Sequence, residues 1–103
     1  MKYLITFERN TTPMPIEQAV ALFEAAKLRT SVALAEGRMD CAYASANTKG
    51  GVVLANAESH EELWDAIVEY PLYMFFDWGV EPLCDLHHGL DKLIEVVQTQ
   101  LGE

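Results

Sequence analysis

Met39-Asp40-Cys41-Ala42-Tyr43-Ala44-Ser45, Asn47-Thr48-Lys49-Gly50-Gly51 and Val52-Val53-Leu54-Ala55 are the stretch on which the fold turns. In its first part Met39, Cys41, Tyr43 and Ser45 alternate with Asp40, Ala42 and Ala44, which is the period of a strand. The middle part is turn chemistry, and its two glycines suit the unusual backbone angles of hairpin loops. The last part is a short run rich in β-branched residues and reads as a second strand. A hairpin therefore occupies the middle of the chain, and its flanks decide the class.

Upstream, Ile16 to Glu36 contains no Gly or Pro and is rich in Ala, which predicts a long helix. Ile16, Val20, Phe23 and Leu34 form one apolar stripe, and Ala21, Ala25, Leu28 and Val32 form a second, so the helix is expected to be covered on two sides. Thr12 or Pro13 is the expected start, and Gly37 the expected stop, because glycine tolerates positive φ. Before it, Lys2 to Glu8 reads as a strand. Downstream, Ser59-x-x-Glu62 is a capping box. Leu63, Trp64, Ile67 and Val68 then repeat at helical spacing until Pro71. Leu72 to Phe76 is a dense apolar plug, Asp77 to Leu83 a weakly alternating fourth strand, and Leu90 to Leu101 an amphipathic helix.

The order β-α-β-β-α-β plus one helix is the split-βαβ pattern: a ferredoxin-like α+β fold with an antiparallel sheet and an extra C-terminal helix. One domain over residues 1–103 is expected from the length. Two helices cover one sheet face and leave the other bare, so a second sheet is expected over it, giving a homodimer or a larger homo-oligomer built as a dimeric α+β barrel.

Composition narrows the function. Seven basic against sixteen acidic residues give a net charge of −9, and the cations are scattered, so nucleic acid is not an expected partner. No apolar run approaches the roughly 18–20 residues that span a bilayer, and the opening residues are interrupted by Glu8 and Arg9 too soon for a signal peptide. No membrane association and a cytoplasmic location are therefore expected. Cys41 and Cys84 form no CxxC, and the histidines His60, His87 and His88 lack metal-ligand spacing with them, so no metal site is expected. The chain carries no Ser-His-Asp set, phosphate-cradling glycine loop or nucleotide fingerprint.

Over roughly Glu36 to Cys84 the chain resembles the muconolactone isomerase (muconolactone delta-isomerase) family. The resemblance rests on Glu36-Gly37, the helix start around Ser59, Glu61 and Leu63, the run Pro71-Leu72-Tyr73, and Asp77, Val80 and Leu83-Cys84. It implies a dimeric α+β barrel that assembles further. It also implies a double-bond migration in a small unsaturated lactone acid, with no cofactor. Such chemistry needs an acid and base at a conjugated carbon and a donor or cation for the enolate and carboxylate. The chain departs from the family in two places: Ala25 and Ala26 stand where the first helix carries an acid, and Thr48 stands near the place of a family histidine.

Candidate residues follow. Glu24, beside the vacant Ala25–Ala26 position, could supply a displaced carboxylate whose pKa burial would raise; its ordinary role is a surface pair with Lys27. Tyr43 could donate to an enolate oxygen, and Tyr3 and Cys41 are further polar-tipped strand residues; the ordinary role of Tyr43 and Cys41 is plain core packing. Lys27 and Arg38 are candidate clamps for a carboxylate. Trp64 and Trp78 could line an aromatic pocket or simply fill the core. Three functions fit: a cofactor-independent isomerase of an unsaturated lactone or ring-cleavage acid, acting on an acidic or aromatic-derived small molecule in a pocket between sheet and first helix; a non-catalytic binder or partner-stabilising protein on the same scaffold; and a cofactor-free monooxygenase or cyclase.

Overall fold

The computed structural model describes residues 1–102. Four strands, β1 (Lys2–Arg9), β2 (Met39–Ala44), β3 (Gly50–Asn56) and β4 (Phe76–Leu83), form one antiparallel sheet in the order β2-β3-β1-β4. Between them run helices α1 (Ile16–Ala35) and α2 (His60–Val68), and α3 (Leu86–Gln100) follows β4. This is the ferredoxin-like α+β order with an added helix. Among the described residues no helix is long and apolar enough to cross a membrane.

The register sorts the side chains by face. Ile5 lies opposite Val53 and Val80, and Tyr3 opposite Ala55 and Pro82. Tyr3, Ile5, Val53 and Ala55 join Ala57 and Leu63 in the buried core, with Phe7, Met39, Ala42, Ile67 and Trp78 packed against it. The alternate positions, Leu4, Thr6, Val52, Leu54, Cys41 and Tyr43, lie on the open face. There Asp40 accepts hydrogen bonds from Lys2 and, at 2.8 Å, from Asn56. These two donors, with Lys2 first, hold the Asp40 carboxyl below its ordinary pKa.

Helix ends follow their local chemistry. After α1, Gly37 has φ 77°, Arg38 N–H donates to Ala33 O and Gly37 N–H to Leu34 O, the double closure of a Schellman motif. Before α2, Ser59 Oγ accepts from Glu62 N–H at 3.1 Å, while the Glu62 carboxylate accepts from the Glu58 amide at 3.1 Å. The capping box therefore closes one residue upstream of its usual reciprocal donor. Helix α1 begins at Ile16, later than Thr12 or Pro13. Pro15 drives the preceding Met14 away from helical angles, and that delays the start.

Three further expectations are corrected. The hairpin glycines do not supply the positive φ; Thr48 does, at 66°. Gly50 and Gly51 sit in β3, where a Cβ would come within 1.8 Å of Phe7 O and 2.2 Å of Tyr43 O respectively, so close backbone approach requires them. The sheet-facing side of α1 is neither predicted stripe. Ala26 and Ala33 are its buried residues, with Ala19, Leu22 and Thr30 half-buried along the same line, whereas Ile16, Val20, Phe23 and Leu28 are exposed. Last, α3 starts at Leu86 rather than Leu90, because Asp85 caps it by accepting from His88 N–H at 3.1 Å.

Candidate functional site

Small side chains on facing elements leave space between them. Ala33 on α1, Ala42 and Ala44 on β2, Ala55 on β3, Ala57 after it and Ala66 on α2 all border one cavity of about 460 Å³. Its floor is the helix-facing side of the sheet, with Ile5, Phe7, Val53 and Met39. A volume of this order suits a small organic molecule. Ala33 borders this space from α1, and its small side chain leaves the space beneath the helix unfilled.

Polar groups ring the cavity. Arg29 and Thr30 come from the last turns of α1, Arg38 from the start of β2, Asn56 from the end of β3, and Glu62, Asp65, Glu69 and Tyr70 from α2 and its C-terminal end. Two hydrogen bonds tie α1 to α2 here: Arg29 donates to Glu69 O at 3.2 Å, and the hydroxyls of Thr30 and Tyr70 lie 3.1 Å apart. Arg38 Nε donates to Glu36 Oε2 at 2.8 Å, which braces the base of its guanidinium. Of the three carboxylates, Glu62 is engaged in the α2 cap, and Glu69 lies 3.8 Å from Arg29. Asp65 takes part in neither contact. Trp78 closes the aromatic side, its Nε1 donating to Tyr73 O at 3.0 Å and its ring packed against Phe7, Tyr70, Tyr73 and Phe76.

Of the residues singled out in the sequence, Arg38, Tyr43 and Trp78 come to this cavity. The Tyr43 position belongs to the β2 wall, but its pairing with Val52 turns the side chain to the open face, where it is 66% exposed. Cys41, two residues earlier, shares that face. Glu24 and Lys27 are exposed on α1 and do not line the cavity. Tyr3 is 2% exposed beneath α2, its hydroxyl 2.6 Å from His60 Nδ1 and 3.0 Å from Met1 Sδ. Trp64 is 69% exposed and borders a separate groove with Met74, Phe76 and Val80. Among the described residues no His, Cys, Asp and Glu side chains cluster as metal ligands.

Arg29, Thr30, Asp65 and Tyr70 also line the cavity, and no motif in the sequence marks them. For α1 a signal existed: Ala26, Thr30 and Ala33 at i, i+4 and i+7 mark a small-residue face, and Arg29 adjoins it. Tyr70 stands directly before the helix-ending Pro71, a position whose direction only the fold sets.

The site is thus an alanine-walled, arginine-rimmed cavity between the sheet and the helices of an α+β chain of ferredoxin-like order. The muconolactone delta-isomerase family model matches residues 1–89, and the chain belongs to that family. Among solved structures, a muconolactone isomerase aligns with TM-score 0.74 at 21% identity, covering 82% of this chain and 90% of its own. A 5-chloro-2-hydroxyhydroquinone dehydrochlorinase from Burkholderia phenoliruptrix AC1100, in complex with 2,5-dihydroxybenzoquinone, aligns with TM-score 0.64 at 18% identity, covering 85% of this chain and 98% of its own. At these identities the two neighbours establish the shared fold. No curated protein matches by sequence.

Proposed function

We propose that this chain is a cofactor-independent isomerase that moves a double bond in a small unsaturated lactone or ring-cleavage acid during the breakdown of aromatic compounds. The observation that carries the reading is the cavity: an apolar, alanine-walled space with two guanidinium groups, Arg29 and Arg38, at its border, in a chain of the muconolactone delta-isomerase family. A substrate carboxylate would be held by Arg38, whose planar donors match a carboxylate in pairs. The apolar floor takes the ring carbons and keeps water from the enolate.

The reaction needs one proton moved between two carbons. Asp65 is the cavity carboxylate committed to neither the cap nor the Arg29 contact, and it serves as the base that removes a proton beside the conjugated system. The electron pair moves onto the lactone carbonyl oxygen. The Tyr70 hydroxyl, held near Thr30, donates to that developing oxyanion. Return of the proton to the far carbon restores the carbonyl and leaves the double bond shifted, with no net change in atoms or charge.

The chain is further proposed to work as a homo-oligomer in which the open sheet faces of two copies cover each other. Support comes from the exposed apolar side chains on that face, among them Val52 and Leu83. A solitary monomer in sedimentation at micromolar concentration would remove this part.

The test of chemistry is proton–deuterium exchange into a muconolactone analogue, followed by NMR. Exchange well above background is expected from the native protein, slowed ~10²-fold or more in Asp65→Asn, with Arg38→Ala acting chiefly on KM. Background exchange at high protein concentration would reject the isomerase reading.

A further inference from the structure

The cavity runs along the length of the sheet. At one end Ala44 borders it, paired with Gly51 beside the hairpin; at the other end Ala57 borders it, just past β3. From Gly51 to Ala57 an extended chain rises ~20 Å. The volume of about 460 Å³ corresponds to roughly 15 water-sized units. One small ring bearing a carboxylate does not fill that space.

The groups that recognise a ligand are sorted toward opposite ends. Arg38 is level with Asn56, whose N–H donates to Arg38 O at 2.8 Å. Trp78 is level with Phe7, which in turn pairs with Gly51. Arg38 leads into β2 and Trp78 belongs to β4, the two edges of the sheet. Along and across the strands together, their backbones stand roughly 20 Å apart. Helix α2 returns the chain from the Ala57 end toward Phe76, which pairs with Arg9 near the hairpin, so Asp65 lies partway between the two ends. At the Trp78 end the rings of Phe7 and Tyr70 lie 5.6 and 6.0 Å from the indole, and all three residues border the cavity. Such a wall favours another aromatic ring, which meets it edge to face or offset.

We propose that the substrate carries a second, aromatic ring: an elongated acid with its carboxylate at Arg38, its reacting carbons near Asp65 and its aryl group against Trp78. The inference deepens the proposed function and rests on its placing of the acid in this cavity. A single-ring acid held by Arg38 ends short of the indole and leaves the aromatic wall bare. An alkyl tail of the same length would reach the wall but would gain nothing from the ring edges and faces there. The substrate class is therefore a lactone or ring-cleavage acid that keeps an aryl substituent. A reaction that opens one ring of a two-ring aromatic compound would supply it.

The test uses unreactive acids, so its outcome is separate from that of the isomerase assay. The chain has two tryptophans, and Trp64 is 69% exposed outside the cavity, so Trp64→Phe leaves Trp78 as the sole indole. Hexanoate, phenylacetate, decanoate and phenylhexanoate are titrated into that full-length variant by calorimetry and by fluorescence. Phenylhexanoate should bind ~10-fold or more tighter than hexanoate and phenylacetate. It should bind ~3-fold or more tighter than decanoate, which has similar reach and no ring, and it should shift the Trp78 emission. Arg38→Ala should weaken hexanoate and phenylhexanoate by the same factor. Equal affinity for phenylhexanoate and any of the other three acids overturns the proposal. So does an unshifted Trp78 emission, an Arg38→Ala variant that binds as before, or no binding of any acid at millimolar concentration.

Discussion

Helices α2 and α3 are alike as sequences and opposite in setting. Each opens on a side-chain cap, Ser59 for α2 and Asp85 for α3, and each carries an apolar face at helical spacing. Yet α2 buries Leu63 in the core and half-buries Ile67, while α3 buries nothing. Amphipathic spacing therefore states that a helix has a face to hide, and the partner that hides it is decided elsewhere. For α2 the partner is the sheet of the same chain. For α3 nothing among the described residues buries any of its side chains.

The sharpest way to break this contrast is a matched pair of truncations. Leu63→Ala should lower stability by about 2–5 kcal/mol in urea unfolding, because it opens a hole among Tyr3, Val53 and Ala55. Leu93→Ala, at a position 62% exposed, should change the stability of the single chain by under ~0.5 kcal/mol. Equal losses would mean that α3 packs on its own body after all.

A smaller effect sharpens the role of the alanine walls. Ala55→Leu should push a branched side chain into the cavity, weaken ligand binding and change stability by at most about 1–3 kcal/mol, the penalty for extra methylenes in packed surroundings. Unchanged binding would place the ligand elsewhere. Smaller again, Thr48→Gly should stabilise the chain by ~1 kcal/mol, since Thr48 holds a positive φ that a β-branched residue adopts only under strain. A fall in melting temperature would contradict that account of the hairpin.

The least effect concerns Asp40. Its carboxyl is held below the ordinary value by Lys2 first and Asn56 second. A depressed folded-state pKa means the contribution is complete above the unfolded value near 3.8. It is lost as pH falls through the lower folded value. Asp40→Asn should flatten that acid limb of the stability curve and leave neutral stability nearly unchanged, because the pair is exposed.

Much of the fold was legible because its signals are local. The Met39–Ala55 hairpin, the Ser59 cap, the Pro71 stop and Gly37 all act through residues a few places apart, and the sheet order follows from the way such pieces connect. Direction was harder to read. In α1 the large side chains advertised two stripes, but the residues it buries are Ala26 and Ala33, whose small side chains stand out in no apolar stripe. In α3 the glycine at position 89 obscured a start that Asp85 sets. Of the site, Arg38 and Trp78 could be placed because strand ends and strand alternation fix where they point. Arg29, Asp65 and Tyr70 became neighbours only through the tertiary contact of α1 with α2, which no spacing in the chain encodes.

The cavity is the proposed place where a small acid binds. Titration of a muconolactone-type lactone acid into nitrogen-15-labelled protein, followed by amide shifts, tests it directly. Shifts concentrated at Arg29, Arg38, Ala42, Ala55, Asp65 and Tyr70, and saturating only at higher ligand concentration in Ala55→Leu, are the predicted result. Shifts confined to the open sheet face or to the α2–β4 groove, or no shifts at millimolar ligand, would contradict it.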